Sequence, residues 1–305
     1  MPPTHQTIFP VRYYECDAYG HLNNAVYLRF MQEAAFNASA ALGYDEQRYA
    51  ELERLWLARM TEIEYLLPVR YGDRIVVTTW VEDVRRVRSI RAYEFHQQDT
   101  GELVARGWTD WVFVDVPSGR PSTVPPDIAE IYLPEGGHLE KSSRRRFVEP
   151  PPPPEGVFID QRRVEWQDLD PVQHVNNAMY LSYLMEAAWK FGDAINWPWK
   201  RIQAEGFGVV ARRTQIEYLQ AASYGDELEI ATWLSDMKRS TITRHFTIRR
   251  LQDNVPIVRA NSLFVCIDLE TMRPRRIPAD FLADVSRNIS ENEVMAAEGS
   301  DRGTK

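Results

Sequence analysis

Asp17-Ala18-Tyr19-Gly20-His21-Leu22-Asn23-Asn24-Ala25-Val26-Tyr27-Leu28 returns as Asp170-Pro171-Val172-Gln173-His174-Val175-Asn176-Asn177-Ala178-Met179-Tyr180-Leu181, so one polar cluster heading an apolar segment occurs twice. The register then holds without insertion. Arg59-x-Thr61-x-Ile63-Glu64-Tyr65-Leu66 and Tyr71-Gly72-Asp73 reappear as Arg212-x-Thr214-x-Ile216-Glu217-Tyr218-Leu219 and Tyr224-Gly225-Asp226, and Asp115 and Pro125 find Asp268 and Pro278. A unit of about half the chain is far longer than the roughly 20 to 50 residue period of solenoids and propellers, so each copy is expected to be a complete domain. Two similar domains, paired like a fused homodimer, follow.

The 305 residues give each copy enough length to bury its own core. A formal net charge of -8 argues against nonspecific nucleic-acid binding, although the basic run Arg85-Arg86-Val87-Arg88 could meet phosphates on a small ligand. Cys16 and Cys266 occupy non-equivalent places, and no cysteine and histidine spacing suggests a metal site. Reduced thiols and a cytoplasmic location are expected. The N-terminus lacks signal-peptide character, and no apolar run is long enough to cross a bilayer. The expected partition is a first domain over 1–140, an Arg/Pro-rich linker over 141–156, a second domain over 157–289 and a polar, disordered tail over 290–305. Pro150 through Pro154 favour an extended, semi-rigid connection that leads the chain across a domain face. The arginines before it, Arg144 to Arg146, read as solvated.

Within each copy, a short strand around Ile8 to Glu15 leads to an apolar helix from about Ala25 to Leu42, stopped by Gly43; its counterpart runs from Ala178 to Phe191, before Gly192. Almost no polar face remains on this helix, which implies burial on most sides. A second, more polar helix near Asp45 to Arg54 precedes strands at Trp56 to Leu66, Arg74 to Val84, Arg88 to Gln97 and Leu103 to Asp115. The fold class is therefore α+β, each domain an antiparallel sheet wrapped around a long central helix.

This order of elements, with Tyr14-Glu15-Cys16-Asp17-x-x-Gly20-His21-x-Asn23-Asn24-x-x-Tyr27-Leu28, resembles the hotdog-fold acyl thioesterases of the 4-hydroxybenzoyl-CoA thioesterase type. The second copy, Asp170-x-x-x-His174-Val175-Asn176-Asn177, is similar to the signature of fatty acyl-ACP thioesterases. The resemblance implies a hydrolase that splits an acyl-CoA or acyl-ACP thioester into acid and thiol, with no cofactor and no metal. Two sites would lie where the domains meet. The acyl-ACP enzymes concentrate their chemistry in the second repeat, whereas this chain keeps Asp, His and Asn in both. Their usual asparagine two residues after the acid is Val172 here and Tyr19 in the first copy, which places acyl-CoA slightly ahead. A non-catalytic acyl-thioester-binding protein and a hotdog dehydratase are the alternatives.

The resemblance makes Asp17 and Asp170 the catalytic acids, with nucleophile and general base both open. Asn24 and Asn177 follow seven residues later, where free backbone N–H groups at a helix start can hold the thioester oxygen as charge develops. Asn23 and Asn176 stand beside them as caps or substrate contacts. His21 and His174 either support the acid or bond the turn backbone. Tyr27 and Tyr180 complete the substrate-binding set with Arg86 and Arg239, whose forked side chains suit phosphate. Arg91 and Arg244 share their register, and the four either clasp phosphate or form a solvated charged strand edge. Glu33 and Glu186, on the apolar helix, are expected to be ion-paired because burying an acid alone is costly. A further homodimer of the whole chain is plausible on the same pairing logic.

Overall fold

The computed structural model describes residues 3–132 and 145–290. The first repeat comprises β1 (Thr4–Pro10), α1 (Asn24–Ala40), α2 (Glu46–Glu51), β2 (Arg54–Tyr65), β3 (Arg74–Arg85), β4 (Arg88–Gln97), β5 (Leu103–Asp115), β6 (Arg120–Pro121) and α3 (Pro126–Tyr132). The second comprises β7 (Phe158–Arg163), α4 (Asn177–Ala194), α5 (Trp199–Ala204), β8 (Phe207–Tyr218), β9 (Glu227–Ser235), β10 (Thr241–Arg250), β11 (Pro256–Asp268) and α6 (Ala279–Val285). All the strands join one antiparallel sheet in the order β1-β3-β4-β5-β2-β8-β11-β10-β9-β7, with β6 on the flank of β5.

The sheet is continuous because β2 pairs with β8, and the register sets Glu62 opposite Gln215, which hold equivalent positions in the two repeats. Equivalent residues facing each other across an antiparallel pair place a local two-fold axis at that point. Side chains reinforce the seam: Arg59 bonds both Asp110 of its own repeat and Glu217 of the other, at 2.9 and 3.1 Å. Arg212 reaches back to Glu64 at 3.1 Å. Asp110 is fully buried and is also held by Arg88, so its charge is compensated as a buried carboxylate requires.

On one face of the sheet, α1 and α4 pack against each other and against strands of their own repeat. A single hydrophobic cluster contains Leu28, Phe30, Met31 and Ala34 from α1 together with Tyr180, Leu181, Leu184 and Ala187 from α4. Glu33 and Glu186 are in fact exposed, and among the described residues neither is ion-paired, so the expected pairing is corrected: Lys190 turns instead to Asp160 at 2.9 Å. The opposite sheet face carries the connection between repeats. Gln215 bonds both Val148 and Arg146 backbone, Trp233 donates to the Pro151 carbonyl, and Asn288 donates to that of Gly156. Arg145 is not a freely solvated charge, since it pairs with Glu82 at 2.7 Å and covers the Trp108 ring.

Boundaries moved where local chemistry outweighed pattern. β1 stops at Pro10 and a single 3-10 turn, Tyr13–Glu15, follows, because the Glu15 carboxylate accepts the Arg12 N–H and closes the turn. Helix α4 runs through Gly192 to Ala194, and α3 and α6 were not anticipated. Residues 141–144 of the linker and 291–305 of the tail lie outside the described residues; Ser290 is buried and its hydroxyl donates to the Pro152 carbonyl. Among the described residues no helix is long and apolar enough to cross a membrane.

Candidate active site

Each acid sits in a turn whose shape its own side chain fixes. The Asp17 Oδ1 accepts the N–H groups of Tyr19 and His21 at 2.9 and 3.3 Å, while its backbone exchanges bonds with Gly20 and His21. Asp170 repeats the arrangement, its Oδ1 accepting Val172 N–H at 3.1 Å. Such side-chain-to-backbone closure is what aspartate does well in turns. The left-handed position falls on Gly20 in the first copy and on Gln173, at a φ of 64°, in the second. Burial pushes both carboxyls above their ordinary range, against the lowering effect of the turn N–H groups.

The chain then enters the helices. Asn23 and Asn176 are the N-caps, their side-chain oxygens accepting Ala25 and Ala178 N–H at 2.9 and 3.0 Å. That leaves Asn24 and Asn177 as the first helical residues, and among the described residues their backbone N–H groups have no partner. Free amides at a helix start are anion-ready. The Asn24 and Asn177 carbonyls accept from Tyr65 and Tyr218, each at 3.3 Å, which ties the helix head to the sheet.

Asymmetry appears around this shared frame. Asn177 opens on a narrow cavity whose other walls come mostly from the first repeat: Leu28, Met31 and Gln32 of α1, Thr61 of β2, and Thr109 and Trp111 of β5. Gln32 accepts from Asn176 Nδ2 at 3.1 Å, so a polar group of one repeat steadies the helix cap of the other. Its equivalent in the second repeat is Met185, which has no such group to offer Asn23. Near Asp17, Tyr19 instead reaches into the second repeat, where its hydroxyl accepts Val209 N–H at 3.4 Å and its ring meets Trp199 edge-on at 4.6 Å. Burial lifts its phenol to about 12. The counterpart Val172 is 47% exposed.

The remaining sequence candidates divide. His21 lies against the Tyr19 ring and is pushed toward its neutral form by burial, then by Arg70; its backbone, like that of His174, closes the acid's turn. Neither imidazole bonds the carboxylate. Tyr27 and Tyr180 are buried in the core, Tyr27 edge-on to Tyr65 and Tyr180 accepting Ala222 N–H at 3.1 Å. Both have structural positions away from the cavity lining. Arg86 and Arg239 are exposed in the β3–β4 and β9–β10 connections. A twelve-residue strand separates Arg86 from the Arg70 region beside Asp17, roughly 35 Å at the usual rise, so Arg86 cannot serve the acid of its own repeat. Arg91 and Arg244 correct the expectation of a charged edge: both are buried, over the rings of Tyr132 and Phe191, and burial lowers Arg244 to about 9.

Gln32 escaped the sequence reading because it is a position where the repeats differ. Two exposed aromatic pairs, Tyr13 with Tyr71 and Trp166 with Tyr224, stand edge-on in register beside the two acid turns and were also passed over, although the repeated tyrosines signalled them.

A family model of the thioesterase-like superfamily matches residues 11–131 and again 164–285. A chloroplast oleoyl-acyl carrier protein thioesterase of Arabidopsis thaliana is 25% identical over 195 residues, covering 59% of this chain and 53% of that protein. An acyl-[acyl-carrier-protein] hydrolase of Cuphea viscosissima is 18% identical over 263 residues, covering 83% and 60%. The chain thus spans about half the length of the curated relatives it matches. Among solved structures, the 12:0-ACP thioesterase from Umbellularia californica superposes with a TM-score of 0.69 at 18% identity, covering 89% of this chain and 94% of that one. An acyl-ACP thioesterase from Bacteroides thetaiotaomicron gives 0.65 at 18%, covering 86% and 97%. The fold is the two-domain hotdog architecture, and with both halves matched by one family model the chain belongs to the thioesterase-like superfamily.

Proposed function

We propose that the chain hydrolyses acyl thioesters of phosphopantetheine carriers, at a site where Asp170 and Asn177 of the second repeat meet a pocket lent by the first. The repeats then act as the halves of a fused hotdog dimer, each part of the sheet curved around its own long helix. The observation that carries this reading is the cavity that begins at Asn177 and continues between α1 and the first-repeat strands. A thioester laid at the head of α4 directs its oxygen at the free Asn177 N–H, where the helix start favours developing negative charge. Its acyl group enters the cavity. The carrier runs outward past the exposed Val172, Trp166 and Tyr224.

Asp170 then takes a proton from water as the water oxygen attacks the carbonyl carbon, or attacks that carbon itself and is released by water afterwards. In both routes the C–S bond breaks and the sulfur leaves as thiolate. Burial raises the carboxyl and so strengthens it as a base. Gln32 holds the Asn176 side chain and sits in the cavity wall, where it can orient the reacting water. The first-repeat acid, whose turn carries Tyr19 packed against Trp189 and Trp199 of the other repeat, serves the fold more than the reaction.

The relatives are named for acyl carrier protein substrates, while Val172 and Tyr19 depart from the asparagine of those enzymes. The chemistry common to both carriers is the phosphopantetheine thioester. Capture of released thiol from matched acyl-CoA and acyl-ACP substrates tests the proposal: saturable release is expected, and the ratio of kcat/KM values ranks the carriers. Binding without release would make the chain an acyl-binding protein, and a changed acyl group with no thiol freed would make it a dehydratase.

A further inference from the structure

The cavity that starts at Asn177 has polar groups in its lining. The Thr61 and Thr109 hydroxyls lie 3.2 Å apart, and Trp111 lines the wall with them. Behind, on β4, the Tyr93 hydroxyl stands beside Thr109 and Trp111. Tyr93 is 1% exposed and Trp111 7%; the Tyr93 hydroxyl is in weak hydrogen-bond contact with Trp111 and Thr109, and among the described residues neither it nor Trp111 Nε1 makes a well-formed hydrogen bond. Two weakly met donors in so dry a place oppose folding, so they call for an explanation.

The second repeat shows that the fold does not need them. At the positions equivalent to Tyr93 and Trp111 it carries Phe246 and Phe264, 0% and 7% exposed, while Thr214 and Ser262 keep the hydroxyl pair at 3.0 Å. Packing is thus satisfied by phenyl rings of similar shape. The two extra heteroatoms occur only in the repeat whose interior faces the free Asn177 amide. As it stands the cavity measures about 20 Å³, so a ligand must displace a side chain; Met31, unbranched and adaptable, lies in its wall.

We infer that the cavity selects acyl groups that carry an oxygen function, a hydroxyl or a carbonyl, at the end remote from the thioester, with Tyr93 and Trp111 as the hydrogen-bond donors that recognise it. This rests on the thioester reading of the Asp170 site. A plain alkyl end leaves both donors buried with only their weak mutual contact; an oxygen placed against them satisfies them better. Discrimination of this kind is strong because the unmatched ligand is penalised as well as the matched one favoured.

The test compares kcat/KM for pairs of acyl-CoA thioesters of equal length, with and without a terminal hydroxyl or oxo group, in the wild type, Tyr93→Phe, Trp111→Phe and the double variant. The substituted residues are those the second repeat already packs, and thermal melts check that each variant is folded. The wild type should prefer the oxygenated member by about tenfold or more, the scale of one hydrogen bond made by only one of two substrates. Each substitution should shrink that ratio and the pair should bring it near one. Parity in the wild type, or an unchanged ratio in the double variant, overturns the inference while leaving hydrolysis intact. Release of thiol from no member of the panel is a different outcome, and overturns the thioester reading together with what rests on it.

Discussion

Asp170 and Asp17 are held by their turns yet pushed upward in pKa by burial, so the fold works against the charge that the chemistry uses. With the folded value above the ordinary carboxylate range of about 3.9, the stability linked to each group is present below that value and is lost as pH rises through the folded pKa. At neutral pH the ionised acid therefore costs stability. Asp17→Asn and Asp170→Asn keep an acceptor for the turn N–H groups and remove the charge, so each should melt at the same or a higher temperature than wild type at neutral pH, the gain fading toward acid. A clear drop in Tm at neutral pH, read by circular dichroism, would contradict the burial argument. The same raised carboxyl predicts that kcat/KM falls on the acid side with an apparent pKa above that of a free aspartate. Asp, His and Asn were legible because they repeat. Gln32, Tyr93 and Trp111 were not, since a reading built on agreement between copies passes over the residues at which they differ.

Both helices begin with the same cap, but only one cap is used across the repeats. Replacing the cap in Asn23→Ala or Asn176→Ala should cost about 1 kcal/mol each in urea unfolding, the usual loss of a side-chain N-cap. Turnover should separate them: Asn176 also donates to Gln32, so Asn176→Ala should lower kcat while Asn23→Ala leaves it near wild type. Equal kcat values would remove Gln32 from the mechanism. Among the elements, β4 and β5 matched their expected bounds because alternation and the Gly101 turn marked them. Gly192 was read as a stop, yet α4 continues beyond it, with the Gly192 carbonyl accepting Trp197 N–H as the chain folds back. Packing outweighed propensity there. Arg91 and Arg244 looked like strand-edge charges, and only the structure reveals the rings of Tyr132 and Phe191 and the hydroxyls of Thr79 and Thr232 that receive them.

At the scale of the molecule, the duplication matters because neither repeat makes the proposed site alone: the second supplies Asp170 and Asn177, the first supplies Gln32 and the cavity wall. Separated, the halves would expose the edges of β2 and β8 and the facing sides of α1 and α4. Fragments 1–148 and 157–305 should therefore associate when mixed, and two soluble halves that stay apart in size-exclusion chromatography would contradict the fused-dimer account. The two-domain hotdog fold was readable from the repeat; the difference between the two acid turns was not, because it lies in Tyr19 reaching into the second repeat where Val172 stays exposed. The most direct test of the account is thus kcat/KM for thiol release by Asp17→Asn and Asp170→Asn measured side by side on one acyl thioester. Asp170→Asn should lose about a hundredfold or more, the usual contribution of a positioned acid or base, and Asp17→Asn less than about threefold. Equal losses, or the larger loss at Asp17, would contradict a reaction centred on the second repeat.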